Sequence, residues 1–228
     1  LYVRRVQVSE ECEDLLPVWL RFVRGVVEAS DLPLNVSREV MQSNPHVRAI
    51  RKRLVKKVLS TIRTMMDADP EKYATFWDGM GRAVKEGLLS DGDNRQAILD
   101  LCSFPSTHDP EKPTTLRDYV ARMPEGQDAI YYISGEDADA LKSSPQIEGF
   151  KARGLEVLLL GDPIDGFWTM MTPDWGGKPI RAVGRIGDDE LAAFPKLAEA
   201  DAATDGDDTT KDATAADGTL DVYVDDRA

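Results

Sequence analysis

Between residues 50 and 62 the chain places Ile50, Leu54, Val55, Val58, Leu59 and Ile62 three and four apart, the spacing of one apolar stripe on an amphipathic helix. Asn44-Pro45 precedes that stripe as a capping residue followed by proline at the first helical position, so a long helix is predicted from there to about Met66. Asp69-Pro70 repeats the signal and predicts a second helix to about Glu86, stopped by Gly87. Upstream, Leu1–Val8 reads as a strand without a start methionine, so the chain is expected to open in mid-structure. Ser9 with Glu10, Glu11 and Glu13 then reads as a capped start. Leu15, Leu16, Trp19, Leu20, Val23 and Val26 predict a helix ending near Glu28. Ser37 caps a short predicted turn of helix carrying Arg38, Glu39 and Gln42, and Asn94 to Phe104 offers another short helix.

From residue 105 the pattern changes. Thr115 precedes a short helix at Leu116–Met123, followed by a β run from Ala129 to Ile133, a helical stretch to Arg153, and a second β run at Leu155–Leu160. Strand, helix and strand at this separation predict a parallel βαβ unit. One more helix is expected between Pro163 and Met171, and a last strand at Ile180–Val183.

Composition adds one division to this picture. The net charge of −13 is concentrated beyond residue 187, where 13 acidic and 3 basic side chains stand, leaving only −3 for residues 1–186. The tail is rich in Ala, Asp, Thr and Gly and has too little apolar surface to offset its ordering entropy, so it is expected to be a disordered linker. Leu220–Val224 alternates like a strand too short to stand alone. The longest apolar run, Leu155–Leu160, is too short to span a membrane, and the N-terminus has no leader pattern, so a cytoplasmic location is expected. Cys12 and Cys102 read as buried free thiols, His46 and His108 lack ligand spacing, and no bound metal is predicted. The cations Arg48, Arg51, Lys52, Arg53, Lys56, Lys57 and Arg63 flank the apolar stripe as a solvated face without interleaved aromatics, which argues against nucleic acid.

Two constellations could carry chemistry. Arg38 and Gln42 are four apart after the extended Leu32-Pro-Leu-Asn, which puts a guanidinium and an amide on one helical face, suited to phosphate oxygens. A helix-capping arginine paired with a carboxylate fits the same spacing. Phe167, Trp168, Met170, Met171 and Trp175 form a sulfur-rich apolar cluster that suits either an adaptable binding surface or a plain core. No phosphate loop, nucleophile elbow or catalytic carboxylate pair is readable, so the chain looks catalytically incomplete.

Read in order, Leu1-Tyr-Val-Arg-Arg-Val, Phe22-Val-Arg-Gly-Val-Val, Asp31-Leu-Pro-Leu-Asn-Val-Ser-Arg-Glu, Arg117-Asp-Tyr-Val-Ala-Arg-Met, Ile130-Tyr-Tyr-Ile, Gly154-Leu-Glu-Val-Leu-Leu-Leu and Gly177-Lys-Pro resemble the middle domain of the heat-shock protein 90 chaperones over residues 1–190. Tyr73-Ala-Thr-Phe-Trp, Lys85-Glu-Gly and Phe104-Pro-Ser-Thr-His are similar to its bacterial branch. The resemblance implies an α/β fold of two αβα layered subdomains, the first incomplete (1–67) and the second smaller (105–186). A helical connector (68–104) joins them, and the acidic tail (187–228) follows. It implies that Arg38 reaches the γ-phosphate of ATP held, with Mg, by an N-terminal domain, with Gln42 as its companion on the catalytic loop. Arg4 and Gln7 take positions that face the N-terminal domain, Gln7 standing where relatives are commonly aromatic. Phe167, with its neighbour Trp168, matches a client-binding aromatic position, and Gly166 stands where relatives often carry an acid. Implied partners are the protein's own N-terminal ATPase domain, non-native client proteins, and a second copy through a C-terminal domain that residues 187–228 do not resemble. Such a segment alone would be inactive towards ATP. A module that binds clients and partners without any catalytic contribution is the alternative.

Overall fold

Two helix starts written in the sequence organise the molecule, whose computed structural model describes residues 1–10, 12–30, 44–109 and 111–197. The Asn44 side chain accepts from the His46 amide at 2.8 Å and opens α1 (Pro45–Ala68), which buries Val47, Val55, Leu59, Ile62 and Met66. The Asp69 side chain accepts from the Lys72 amide and opens α2 (Pro70–Ser90). Each cap satisfies a backbone donor that the helix cannot satisfy itself.

Gly87 does not stop α2. A side chain there would place its Cβ 2.8 Å from both the Trp19 indole and Ile98 Cδ1, so glycine is required for close packing rather than for a turn. Gly87→Ala should destabilise the fold by up to about 2 kcal/mol in chemical denaturation, because about 1–3 kcal/mol of overpacking is only partly offset by about 1 kcal/mol of helix propensity. A neutral or stabilising result would mean that Trp19 moves aside freely.

The helix predicted from the Ser9 cap to about Glu28 is replaced by two 3-10 turns, Glu13–Leu15 and Val18–Leu20. Pro17 lies between them, where its ring and missing N–H are incompatible with a helix interior. Leu15, Trp19 and Leu20 are buried, whereas Val26 faces solvent. The opening strand is likewise a hairpin, β1 (Tyr2–Val3) against β2 (Val6–Gln7), turning through Arg4 and Arg5 at φ 47° and 68°. Two-residue hairpin loops of type I′ call for positive φ at both central positions. A second such loop, between β7 (Asp174–Trp175) and β8 (Lys178–Ala182), meets the demand with Gly176-Gly177.

The helix expected over 94–104 is shorter: a 3-10 turn at Gly92–Asn94 leads into α3 (Arg95–Leu99), and the chain then extends as β3 (Ser103–Phe104), paired antiparallel with β4 (Thr114–Thr115). Thr115 caps α4 (Leu116–Ala121). The βαβ expectation holds. β5 (Ile130–Ser134) pairs in parallel with β6 (Leu158–Leu160), with Tyr132 opposite Leu158, and in parallel with β8, with Ile130 opposite Ile180. The sheet order is β6-β5-β8-β7. Pro145 divides the crossover into α5 (Ala138–Leu141), a 3-10 turn and α6 (Glu148–Lys151). Further on come α7 (Asp165–Met171) and α8 (Asp188–Ala192), the latter inside the stretch expected as a disordered tail, where Leu191 and Phe194 supply apolar surface that packs beside Phe150 and Leu155.

Alternation along the strands feeds two cores. Ile130, Leu158, Leu160 and Ile180 point into a cluster shared with Trp19, α1, α2 and α3, while Tyr131, Ile133 and Leu159 pack with Ile147, Phe150 and Leu155. A sheet covered on both faces explains why its strands read as continuous apolar runs. A third, smaller cluster joins Leu1, Val3, Leu15, Ala29 and Val47. No helix among the described residues is long and apolar enough to cross a membrane. Cys102 is buried and Cys12 half-buried, and burial raises the pKa of both thiols.

Candidate functional site

The short helix α7 separates its residues by burial. Asp165, Trp168, Thr169 and the following Thr172 face inward, while Phe167, Met170 and Met171 are 58%, 73% and 46% exposed. The sequence grouped Phe167 and Trp168 as one surface. The structure separates them: Trp168 is fully buried and offers nothing to a partner, because consecutive residues on a helix point about 100° apart.

Trp168 belongs instead to the anchor that fixes α7. Its Nε1 donates to Asp165 Oδ1 at 2.8 Å, and its ring lies 5.5 Å from that of Phe104. Asp165 also receives the Lys85 ammonium from α2, at 3.1 Å and 3.3 Å to its two oxygens, and the Asp162 amide at 3.1 Å. Lys85 Nζ reaches Asp162 Oδ2 at 2.7 Å and sits 5.1 Å from the centre of the Phe104 ring. Arg82 closes the far side of Asp162 at 3.0 Å. The Lys85 side chain is only 6% exposed and that of Asp165 1%.

Burial works against the charge on Lys85, yet Asp165 and Asp162 together keep its pKa above the usual lysine value. Burial likewise opposes the charge on Asp162, which the hydrogen bond and attraction of Lys85, with Arg82 behind them, hold below the usual carboxylate range. A buried cation with two carboxylates and an indole donor fixes geometry. The result is a rigid helix presenting one aromatic ring and two thioethers to solvent.

Lys85, Asp162 and Asp165 do not stand out in the sequence as a site. A signal existed: Gly81, Val84, Lys85 and Leu88 fall at the spacing of the buried stripe of α2, where a lysine requires a partner. Asp162 and Asp165 stand just after the fully buried strand β6.

Other expected site residues lie elsewhere. Arg4 is exposed in the β1–β2 turn, its Nε donating to the Ser30 carbonyl at 3.3 Å, and Gln7 is exposed on β2 opposite Tyr2. Arg38 and Gln42 fall outside the described residues, as does Leu220–Val224.

Comparison with known proteins fits this architecture. The family model described as Hsp90 protein matches residues 1–215. The chaperone protein HtpG of Streptomyces coelicolor is 54% identical over 185 residues, covering 81% of this chain and 29% of that relative. That of Mycobacterium tuberculosis is 50% identical over 201 residues, covering 88% of this chain and 31% of the relative. The chain therefore spans about three tenths of the length of the curated relatives it matches. Among solved structures, the middle domain of a Plasmodium falciparum heat shock protein superposes with a TM-score of 0.70 at 30% identity, covering 82% of this chain and 73% of that one. With half of its residues shared with HtpG relatives and its fold matched by a middle domain, the chain belongs to the Hsp90 family.

Proposed function

We propose that this chain serves as the middle segment of an ATP-driven chaperone, holding non-native proteins on the exposed face of α7 and lending Arg38 to an ATPase site on another domain. The observation that carries the client-binding part is the exposure of Phe167, Met170 and Met171 on one helix whose inner side is fixed by buried charges. Apolar groups held out in water by a rigid support gain free energy when a client covers them, and thioethers adapt to many side chains.

In the ATPase part, a guanidinium supplied from a second domain stabilises charge on the γ-phosphate only when the domains dock, which couples hydrolysis to closure. Gln42 adds a neutral donor beside it, and Arg4 and Gln7 contribute exposed polar groups to the docking surface. ATP and its Mg²⁺ would be held by the N-terminal domain. Among the described residues no group of three or more His, Cys, Asp or Glu is placed to hold a metal ion. Dimerisation belongs to a further domain in this reading.

Phe167→Ser tests the client face. Binding of a fluorescently labelled, permanently unfolded protein should weaken about tenfold, because the serine forfeits about 1–1.5 kcal/mol of apolar burial against the client. The melting temperature should stay nearly unchanged, since the side chain is exposed. Unchanged client affinity would move the client surface away from α7.

A further inference from the structure

On the side of α2 that carries Tyr73 and Trp77, a cleft of about 780 Å³ opens between the α1–α2 junction and the segment 111–118. Its apolar lining comes from Tyr73, Ala74 and Trp77 on α2, with Met66, Pro70 and Pro113 around them. The aromatic side chains are fixed from behind. Tyr73 donates to the Leu101 carbonyl, Trp77 Nε1 donates to the Ser103 carbonyl at 3.1 Å, and the two rings stack 6.0 Å apart. Gly81 leaves room for the Trp77 indole, since a Cβ there would approach it at 2.9 Å. Trp77 is therefore a preset surface whose polar atom is already satisfied.

The charges around the cleft are unbalanced. Asp67, Asp78, Glu111 and Asp118 line it against Arg117 and Lys112. Arg117 is committed to Asp67 at 3.1 Å and approaches Asp118 at 4.0 Å. The Asp78 and Glu111 carboxylates are exposed; Asp78 accepts no hydrogen bond or ion pair among the described residues, and Glu111 has only the Lys142 ammonium within electrostatic range, itself paired with Asp139. The volume suits a few residues of an extended peptide, and a negative rim over an aromatic floor selects a cation attached to an apolar stem.

We propose that this cleft binds an extended basic segment of a partner protein, its apolar side chain seated on Trp77 and Ala74 and its Arg or Lys held by Asp78 and Glu111. The site shares no lining residue with the α7 face, and it does not depend on that face's role. Attraction of this kind weakens with salt, whereas seating on the aromatic floor does not.

The test uses fluorescence anisotropy of a labelled ten-residue peptide alternating Arg and Leu, compared with its Glu and Leu counterpart, on the full chain. The basic peptide should bind, the acidic one should not, and added salt should weaken binding. Ala74→Trp fills the cleft from an exposed helix position, and Asp78→Lys with Glu111→Lys reverses its rim. Each variant should weaken binding at least tenfold without changing the melting temperature. The proposal is overturned if the acidic peptide binds equally well, if the basic peptide fails to bind, or if Ala74→Trp has no effect.

Discussion

Lys85→Met should destabilise the protein by about 3–5 kcal/mol, the scale expected when one member of a buried charge network is removed and its partners stay behind. Methionine fills much of the lysine volume, so the loss comes from charge rather than from a cavity. The variant would leave Asp165, with its 1% exposed side chain, facing only neutral donors, and would remove the cation nearest Asp162. Adding Asp165→Asn to Lys85→Met should restore about half of the loss, since the amide oxygen can still accept from Trp168 while the stranded charge is gone. Urea unfolding of the four proteins in the cycle measures both effects. A single-variant cost under about 1 kcal/mol would mean that the ammonium is not paired in solution.

The pH dependence of the parent follows from the same network. Asp162 has its folded pKa lowered, so its contribution is present above the ordinary carboxylate pKa and is lost as pH falls through the folded value. The Lys85 pKa is raised, so its contribution is full below 10.5 and is lost as pH rises through the folded value. Between about pH 5 and pH 10 the network should therefore contribute a constant amount.

Arg38→Ala should reduce stimulated ATP hydrolysis about 10- to 100-fold, because a charge-assisted contact to a phosphate oxygen is worth about 1.5–3 kcal/mol. The measurement adds the chain, intact or altered, to the separately produced cognate N-terminal domain and follows phosphate release. Stability should hardly change, which distinguishes a role in the reaction from a role in folding. If the intact chain stimulates and the variant stimulates equally, Arg38 is structural and the chain acts as a binding module. Stimulation by neither would mean that docking requires the dimer.

The long elements were legible because their signals are local and redundant. Asn44-Pro45 and Asp69-Pro70 fixed two helix starts, and the apolar runs through Ile130 and Leu158 announced a sheet buried on both faces. Pro17 should have prevented the helix read from Ser9 to about Glu28, since it would fall in the interior of that helix. There the buried spacing of Leu15, Trp19 and Leu20 imitated a helical stripe while the chain made two separate tight turns. The Arg4-Arg5 turn carried no glycine or asparagine to announce it. At the site, exposure on α7 could not be read from composition, because Phe167 and Trp168 are equally apolar and differ only in the direction the helix gives them. Lys85 was legible in principle as a cation within a buried stripe, but its acidic partners lie far along the chain and only the fold brings them together.

The 21 residues of α2 make a rod roughly 32 Å long at 1.5 Å per residue, and it is gripped near both ends. Tyr73 and Trp77 tie one end to the backbone around residues 101–103, while Lys85 and the Trp19 contact at Gly87 hold the other. Mechanically, that makes α2 a strut rather than a passive spacer. Displacing α7 from this strut would therefore require breaking the buried Lys85–Asp165 pair, not merely sliding one apolar surface over another.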